Sequence, residues 1–187
     1  MALLPEVVGF DCGSDPWQLE VGKWLSAPVE LGRDSAAWCC ANDTSTWLYR
    51  LQETNELVGF GSLGQTVWRV DKDKHPVQIL PNVALAKLFH GQPADADPVN
   101  RYSRLVLRDL LREAFQRRRA GAPALFGLFV HPNNIAAIRL YQAFGLQLFP
   151  QPAKSGYRQM VRYLTTADGE LNRLPEWSRP PVEPNAD

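Results

Sequence analysis

The stretch Ala124-Leu125-Phe126-Gly127-Leu128-Phe129-Val130-His131-Pro132-Asn133-Asn134-Ile135-Ala136-Ala137-Ile138-Arg139-Leu140-Tyr141-Gln142-Ala143-Phe144-Gly145-Leu146 decides how the chain is read. Ala124 to Val130 is a nearly continuous apolar run of strand length, and such a run suits a strand buried on both faces of a sheet. Pro132, Asn133 and Asn134 interrupt it, and Asn ahead of an apolar-periodic segment is a good N-cap because its side-chain oxygen accepts an orphan backbone N–H. Ala137, Leu140, Tyr141 and Phe144 then recur at i, i+3, i+4 and i+7, which lays one apolar stripe of a helix on the sheet. Gly145 supplies the left-handed residue that ends it. A buried strand, a capped helix and a glycine stop follow from these residues alone.

The spacing Asn134-x-x-Ala137-x-x-x-Tyr141-x-x-x-Gly145, directly after a buried strand, resembles the fourth-helix motif of the GNAT superfamily of acyl-CoA-dependent N-acyltransferases. The resemblance implies an α/β (α+β) fold: a central mixed, mostly antiparallel sheet of about seven strands, its fourth and fifth strands splayed, flanked by about four helices. It implies acetyl-CoA as co-substrate and a small-molecule or peptide amine as acceptor. In that family the Asn contacts the cofactor arm, and the Tyr stands by the thioester sulfur as the general acid for the leaving thiolate. Carried over, those roles fall on Asn134 and Tyr141. Read without the resemblance, a Tyr on an apolar helix stripe is a core residue.

On the N-terminal side, the segment from Gly91 to Asn100 is a loop by composition. Leu107, Leu110, Leu111 and Ala114 then mark a helix, and Arg104, Arg108 and Arg112 recur four apart on another face of it. A solvated face is the plain reading of those arginines. The family places a glycine-bearing loop at the start of this helix, because N–H groups at a helix N-terminus bind the CoA pyrophosphate. Here the matching region reads Arg101-Tyr102-Ser103-Arg104-Leu105-Val106-Leu107, with Leu105 and Leu107 where glycines are expected. Arg101, Ser103, Arg104 and Leu105 are the candidates for the phosphate end of the cofactor, since guanidinium pairs well with phosphate oxygens.

Further back, Val77 to His90 is a long apolar stretch that resembles the family's fourth strand, whose splayed end exposes backbone groups to the pantetheine arm. By position Leu88, Phe89 and His90 fill that role. Many family members carry a Glu on this strand as the general base, and this stretch has no acidic residue. His90 is the first candidate for the base, His131 the second, because imidazole titrates near neutral pH; a water chain held by carbonyls is the alternative. Asp71 to Pro76 reads as a polar loop. Thr46 to Leu51 and Glu56 to Leu63 read as a hairpin about Glu53-Thr54-Asn55. Val7 to Phe10 reads as a first strand, Trp17 to Leu25 as an amphipathic helix, and Ser35 to Ala41 as a short second one.

Towards the C-terminus, 146–149 and 156–164 read as a terminal hairpin, so the acyltransferase-like domain spans residues 1–164. Residues 165–187 hold Pro175, Pro180, Pro181 and Pro184 and are expected to run as an extended tail. The 187 residues carry 20 basic and 20 acidic side chains, so no global field draws the chain to nucleic acid or an anionic membrane. Phe10 to Gly13 and Ile79 to Leu88 loosely resemble GNAT toxins that act on aminoacyl-tRNA, but such a substrate calls for a basic surface. No apolar run approaches the roughly 18 residues of a membrane span. The N-terminus lacks a signal-peptide pattern, and three cysteines, two of them adjacent, fit reduced thiols and a cytoplasmic protein. The histidines do not share metal-ligand spacing with those cysteines, so no metal is expected. A homodimer is compatible with the family resemblance. A GNAT-fold binding or regulatory protein that has lost catalysis is the rival reading, favoured by the missing glycines.

Overall fold

The computed structural model describes residues 3–8, 44–70, 72–94, 100–149 and 156–169. The two helices expected between residues 11 and 41 lie outside them. The strands are β1 (Leu3–Val8), β2 (Ser45–Leu51), β3 (Leu57–Val70), β4 (Asp73–Leu80), β5 (Val83–Leu85), β6 (Leu125–Val130), β7 (Gln147–Leu148) and β8 (Arg158–Tyr163). The helices are α1 (Tyr102–Arg119), α2 (Ile135–Ala143) and the single turn α3 (Thr166–Gly169), with a 3-10 turn at Lys87–Phe89. One mixed sheet runs β1-β2-β3-β4-β6-β8-β7, and β5 adds to β3 beside β4. Every adjacent pair is antiparallel except β4 with β6.

Local sequence accounts for much of this. The β2–β3 turn contains Asn55 at φ 57, a left-handed position that Asn tolerates better than most residues. The β3 strand runs well past the expected stop at Leu63, and the expected loop at 71–76 shrinks to a tight turn, because Lys74, His75 and Pro76 pair with β3. Pro76 is tolerated there because β6 meets β4 only from Gln78 onward, so that edge needs no N–H donor.

The core sits between the sheet and two helices. Leu107, Leu110, Leu111 and Ala114 of α1 are all buried against Trp47, Tyr49, Leu63 and Phe126. Gly61 lets α1 come this close, since a Cβ there would lie 2.4 Å from Leu110 Cδ1. Phe144 and Leu146 bring α2 into the same cluster, and Gly145 ends that helix at φ 76, as its position in the sequence predicts.

Residues 165–169, at the head of the expected tail, form α3 and pack near α1. Asp168 is fully buried, and its Oδ2 accepts hydrogen bonds from Arg162 at 2.8 Å and from the Thr165 amide at 2.6 Å. Arg162 also donates to the Phe144 carbonyl at 2.6 Å, so one guanidinium joins the end of α2 to the C-terminal turn. Residues 170–187 lie outside the described residues.

Candidate active site

The site forms where β4 and β6 part. Their parallel pairing covers Gln78 with Phe126, Ile79 with Gly127 and Leu80 with Leu128, and then stops. Along β3, Ile79 pairs with Gly64 but Val83 pairs with Gly61, so one extra residue is inserted at Leu80-Pro81-Asn82. This is a β-bulge, which bends the strand it lies on. Past the bulge β5 stays with β3, whereas Phe129 and Val130 of β6 stay with β8. A gap opens between them.

The ladder determines which backbone groups face that gap. Asn82 accepts from the Ser62 amide at 2.9 Å and Ala86 donates to the Val58 carbonyl at 2.8 Å, so even-numbered residues face β3. Antiparallel alternation turns the amides and carbonyls of Val83 and Leu85 toward the gap. The sequence reading instead put Leu88, Phe89 and His90 there. The structure places them one turn later, beyond the strand: Phe89 is buried, with its ring 5.1 Å from that of Tyr102, and Leu88 is 76% exposed. His90 does reach back, its Nε2 standing 2.9 Å from the Leu85 carbonyl. A carbonyl only accepts, so that nitrogen carries a proton and Nδ1 is the ring nitrogen left for other partners. Pro81 inside an apolar run was the available signal for the break.

From the opposite wall, α2 brings Tyr141 into the cluster that contains Leu80, Leu128 and Val130, with Val83 and Leu85 packed alongside. Tyr141 is 8% exposed, and burial pushes its hydroxyl up to about 12. Among the described residues the hydroxyl has no hydrogen-bond partner. Asn134 caps α2 as expected, its Oδ1 accepting from the Ala137 amide at 3.1 Å. That leaves the amide NH2 of this exposed residue as an outward donor. His131 accepts from the Asn133 amide at its Nδ1, 3.2 Å away, so its lone pair is occupied.

The phosphate end differs. The residues aligned with the family's loop are helical here: Arg101 is the N-cap of α1, Leu105 packs beside Phe89 and Tyr102, and Leu107 is core. The Tyr102 amide donates to the Gln92 carbonyl at 3.4 Å and the Arg104 amide to the Arg101 carbonyl at 2.9 Å, so two of the first orphan N–H groups are engaged within the chain. Pro93 forms an isolated bridge with Arg101 in front of them. Ser103 sits half-buried in the first turn. Among the described residues the side chains of Arg101 and Arg104 have no acidic partner, and Arg104 Nη1 is buried without a hydrogen bond. Burial, then the nearby Arg101 charge, lowers the Arg104 pKa from its usual range. Among the described residues no cluster of His, Cys, Asp and Glu could hold a metal, and no helix is long and apolar enough to cross a membrane.

Known structures share this architecture. A Tyr-to-Phe variant of the toxin AtaT, bound to the C-terminus of the antitoxin AtaR and acetyl-CoA, is 11% identical, with 92% of this chain and 100% of that one covered at a TM-score of 0.59. The NatC complex bound to Gag peptide and CoA matches at 13% identity over 88% of this chain and 100% of that one, at 0.55. A Desulfovibrio desulfuricans protein described as a GNAT-family acetyltransferase matches at 12% identity over 88% and 100%, at 0.59. No protein-family model and no curated protein sequence matches the chain. The chain has the GNAT-superfamily fold, as the fourth-helix spacing implied.

Proposed function

We propose that this chain is an N-acyltransferase that moves an acyl group, acetyl in the simplest case, from a CoA thioester to a primary amine within a ternary complex. The observation that carries the reading is the bulge at Leu80-Pro81-Asn82, which parts β4 from β6 beside a buried Tyr141 hydroxyl. The extended pantetheine arm would pair with the backbone groups of Val83 and the amide of Leu85, as an added strand does, the Leu85 carbonyl being held by His90. Its amide groups would thereby fix the thioester, and orientation supplies most of the rate. The amine nitrogen attacks the thioester carbon; the C–N bond forms as the C–S bond breaks. The leaving thiolate takes its proton from Tyr141, whose burial keeps it neutral through the physiological range. The proton lost by nitrogen passes to His90 Nδ1, free because Nε2 is committed to the Leu85 carbonyl. The donor NH2 of Asn134 fits a contact with the arm. Small-molecule or peptide amines are the acceptor class, and NatC with its bound peptide is a precedent for the second.

A second reading has its own support. Engagement of the Tyr102 and Arg104 amides, with leucines in place of loop glycines, favours a GNAT-fold binding protein without catalysis. Titration with acetyl-CoA separates the two. A calorimetric or thermal-shift response at millimolar acetyl-CoA is expected, weaker than that of a protein with the glycine loop; its absence removes the enzyme reading and promotes the other.

A further inference from the structure

We propose that the acyl donor is presented by an acidic carrier protein, whose phosphopantetheine arm enters the gap between β5 and β6 while the carrier docks on the arginine stripe of α1. This rests on the acyltransferase reading above and names its donor. A carrier-borne arm consists of pantetheine and a single phosphate, and it has no nucleotide.

The two halves of the cofactor site meet such a ligand unequally. The gap keeps what a pantetheine arm uses: the backbone of Val83 and the Leu85 amide turned away from β3, with the Leu85 carbonyl already taken by His90, and Tyr141 behind them. Among the described residues the start of α1 is packed instead. Phe89 and Tyr102 meet edge to face there, joined by Leu105, and Gln92 takes the Tyr102 amide. Those side chains leave α1 with cationic groups around its first turns and few free amides.

The cations form a pattern. Arg101, Arg104, Arg108 and Arg112 follow one another at three or four residues, on the side of α1 away from Val106 and Leu110, with the buried Leu111 and Phe115 at its edge. Of these four, among the described residues, Arg112 alone has an acidic partner, Asp109, which borders the stripe. Burial followed by the Arg112 charge lowers the Arg108 pKa, with Asp109 opposing the shift, and burial followed by the Arg101 charge lowers that of Arg104, so these like charges crowd one another and Asp109 offsets them only at the Arg108–Arg112 end. The packing of Leu85 and Ala86 against Phe89 and Tyr102 sets the stripe beside the mouth of the gap, where Leu88 adds an exposed apolar contact. An acidic helix laid along the stripe would relieve the repulsion and deliver its arm to the gap, and its single phosphate would meet Arg101 and Arg104. With zero net charge overall, no global field draws a long polyanion, and the local stripe suits one oriented acidic partner better.

The test uses the full chain and five probes in calorimetry at low ionic strength. These are acetonyl-pantetheine, acetonyl-CoA, and a small acidic acyl carrier protein in apo form, holo form and bearing an acetonyl thioether arm. The loaded carrier should bind about tenfold more tightly than acetonyl-CoA, and the apo carrier more weakly than the loaded one. Arg108→Glu should weaken the loaded carrier about tenfold and leave acetonyl-CoA unchanged, with Arg108→Gln between. Unchanged acetonyl-CoA affinity also certifies that the variants fold. If the loaded carrier binds no better than acetonyl-CoA, or is indifferent to Arg108→Glu, the carrier inference is overturned and the acyltransferase reading stands. An RNA that binds through Arg108 when the carrier does not would overturn it in favour of nucleic acid. Failure of every pantetheine-bearing probe would overturn both.

Discussion

The two ends of the proposed cofactor groove are built in opposite ways. At the end proposed for the thioester lie the bulge, the β5 backbone turned away from β3, the capped α2 and the buried Tyr141 hydroxyl. At the phosphate end, leucines, an aromatic pair and the Gln92 carbonyl take up what would be a cradle of glycine amides, and arginines surround the result. The difference teaches that the two ends of one fold's groove can be packed independently, so each proposed role needs its own test.

The largest expected effect comes from the thioester end. Tyr141→Phe keeps ring volume and burial and removes the acid, so kcat with a working acceptor should fall about 10²–10⁴-fold while acetyl-CoA affinity changes little. Near-normal kcat in a stable, CoA-binding variant would make Tyr141 core only, and the comparison would collapse.

Stability at high pH gives the next effect. Tyr141 is raised from 10.0 to about 12 by burial, so the native state holds its proton where the unfolded chain has lost it. Stability from this group is complete below pH 10 and falls as pH rises through about 12, by up to about 3 kcal/mol. Tyr49, also raised by burial and then by Asp109, acts in the same direction. Urea unfolding across this window should show a shallower loss for Tyr141→Phe than for the parent, with the Tyr49 share persisting. Identical slopes would mean that the thioester end is wet.

The smallest effect belongs to the phosphate end. Changing Arg101 and Arg104 together to Ala should weaken CoA roughly 3–10-fold and acetyl-pantetheine less than about twofold, because only charge-assisted contacts to phosphate are lost. Equal weakening of both ligands would show that the arginines merely face solvent.

Legibility in the sequence followed local physics. Asn134, Gly145 and the stripe on α1 announce themselves through capping, positive φ and period, and each sits where its chemistry requires. The hairpin about Asn55 was readable for the same reason. What escaped was set by pairing at a distance. Val77 to His90 looked like one strand because composition does not register a bulge, and the gap therefore belongs to Val83 and Leu85, with only His90 reaching it from the expected set. Lys74 to Pro76 looked like loop because their strand character depends on β3 alone. The leucines at 105 and 107 could be seen to replace glycines, but the carbonyl of Gln92 that takes the Tyr102 amide could not, since it comes from a different segment.

The most direct test of the divided groove is the ratio of two affinities. Calorimetry with acetyl-CoA and with acetyl-pantetheine on the same preparation should give dissociation constants within about tenfold of each other, because the arm supplies most of the binding and the nucleotide little. A preference for acetyl-CoA of about a hundredfold or more would mean that the phosphate end grips the nucleotide after all, and would contradict the account.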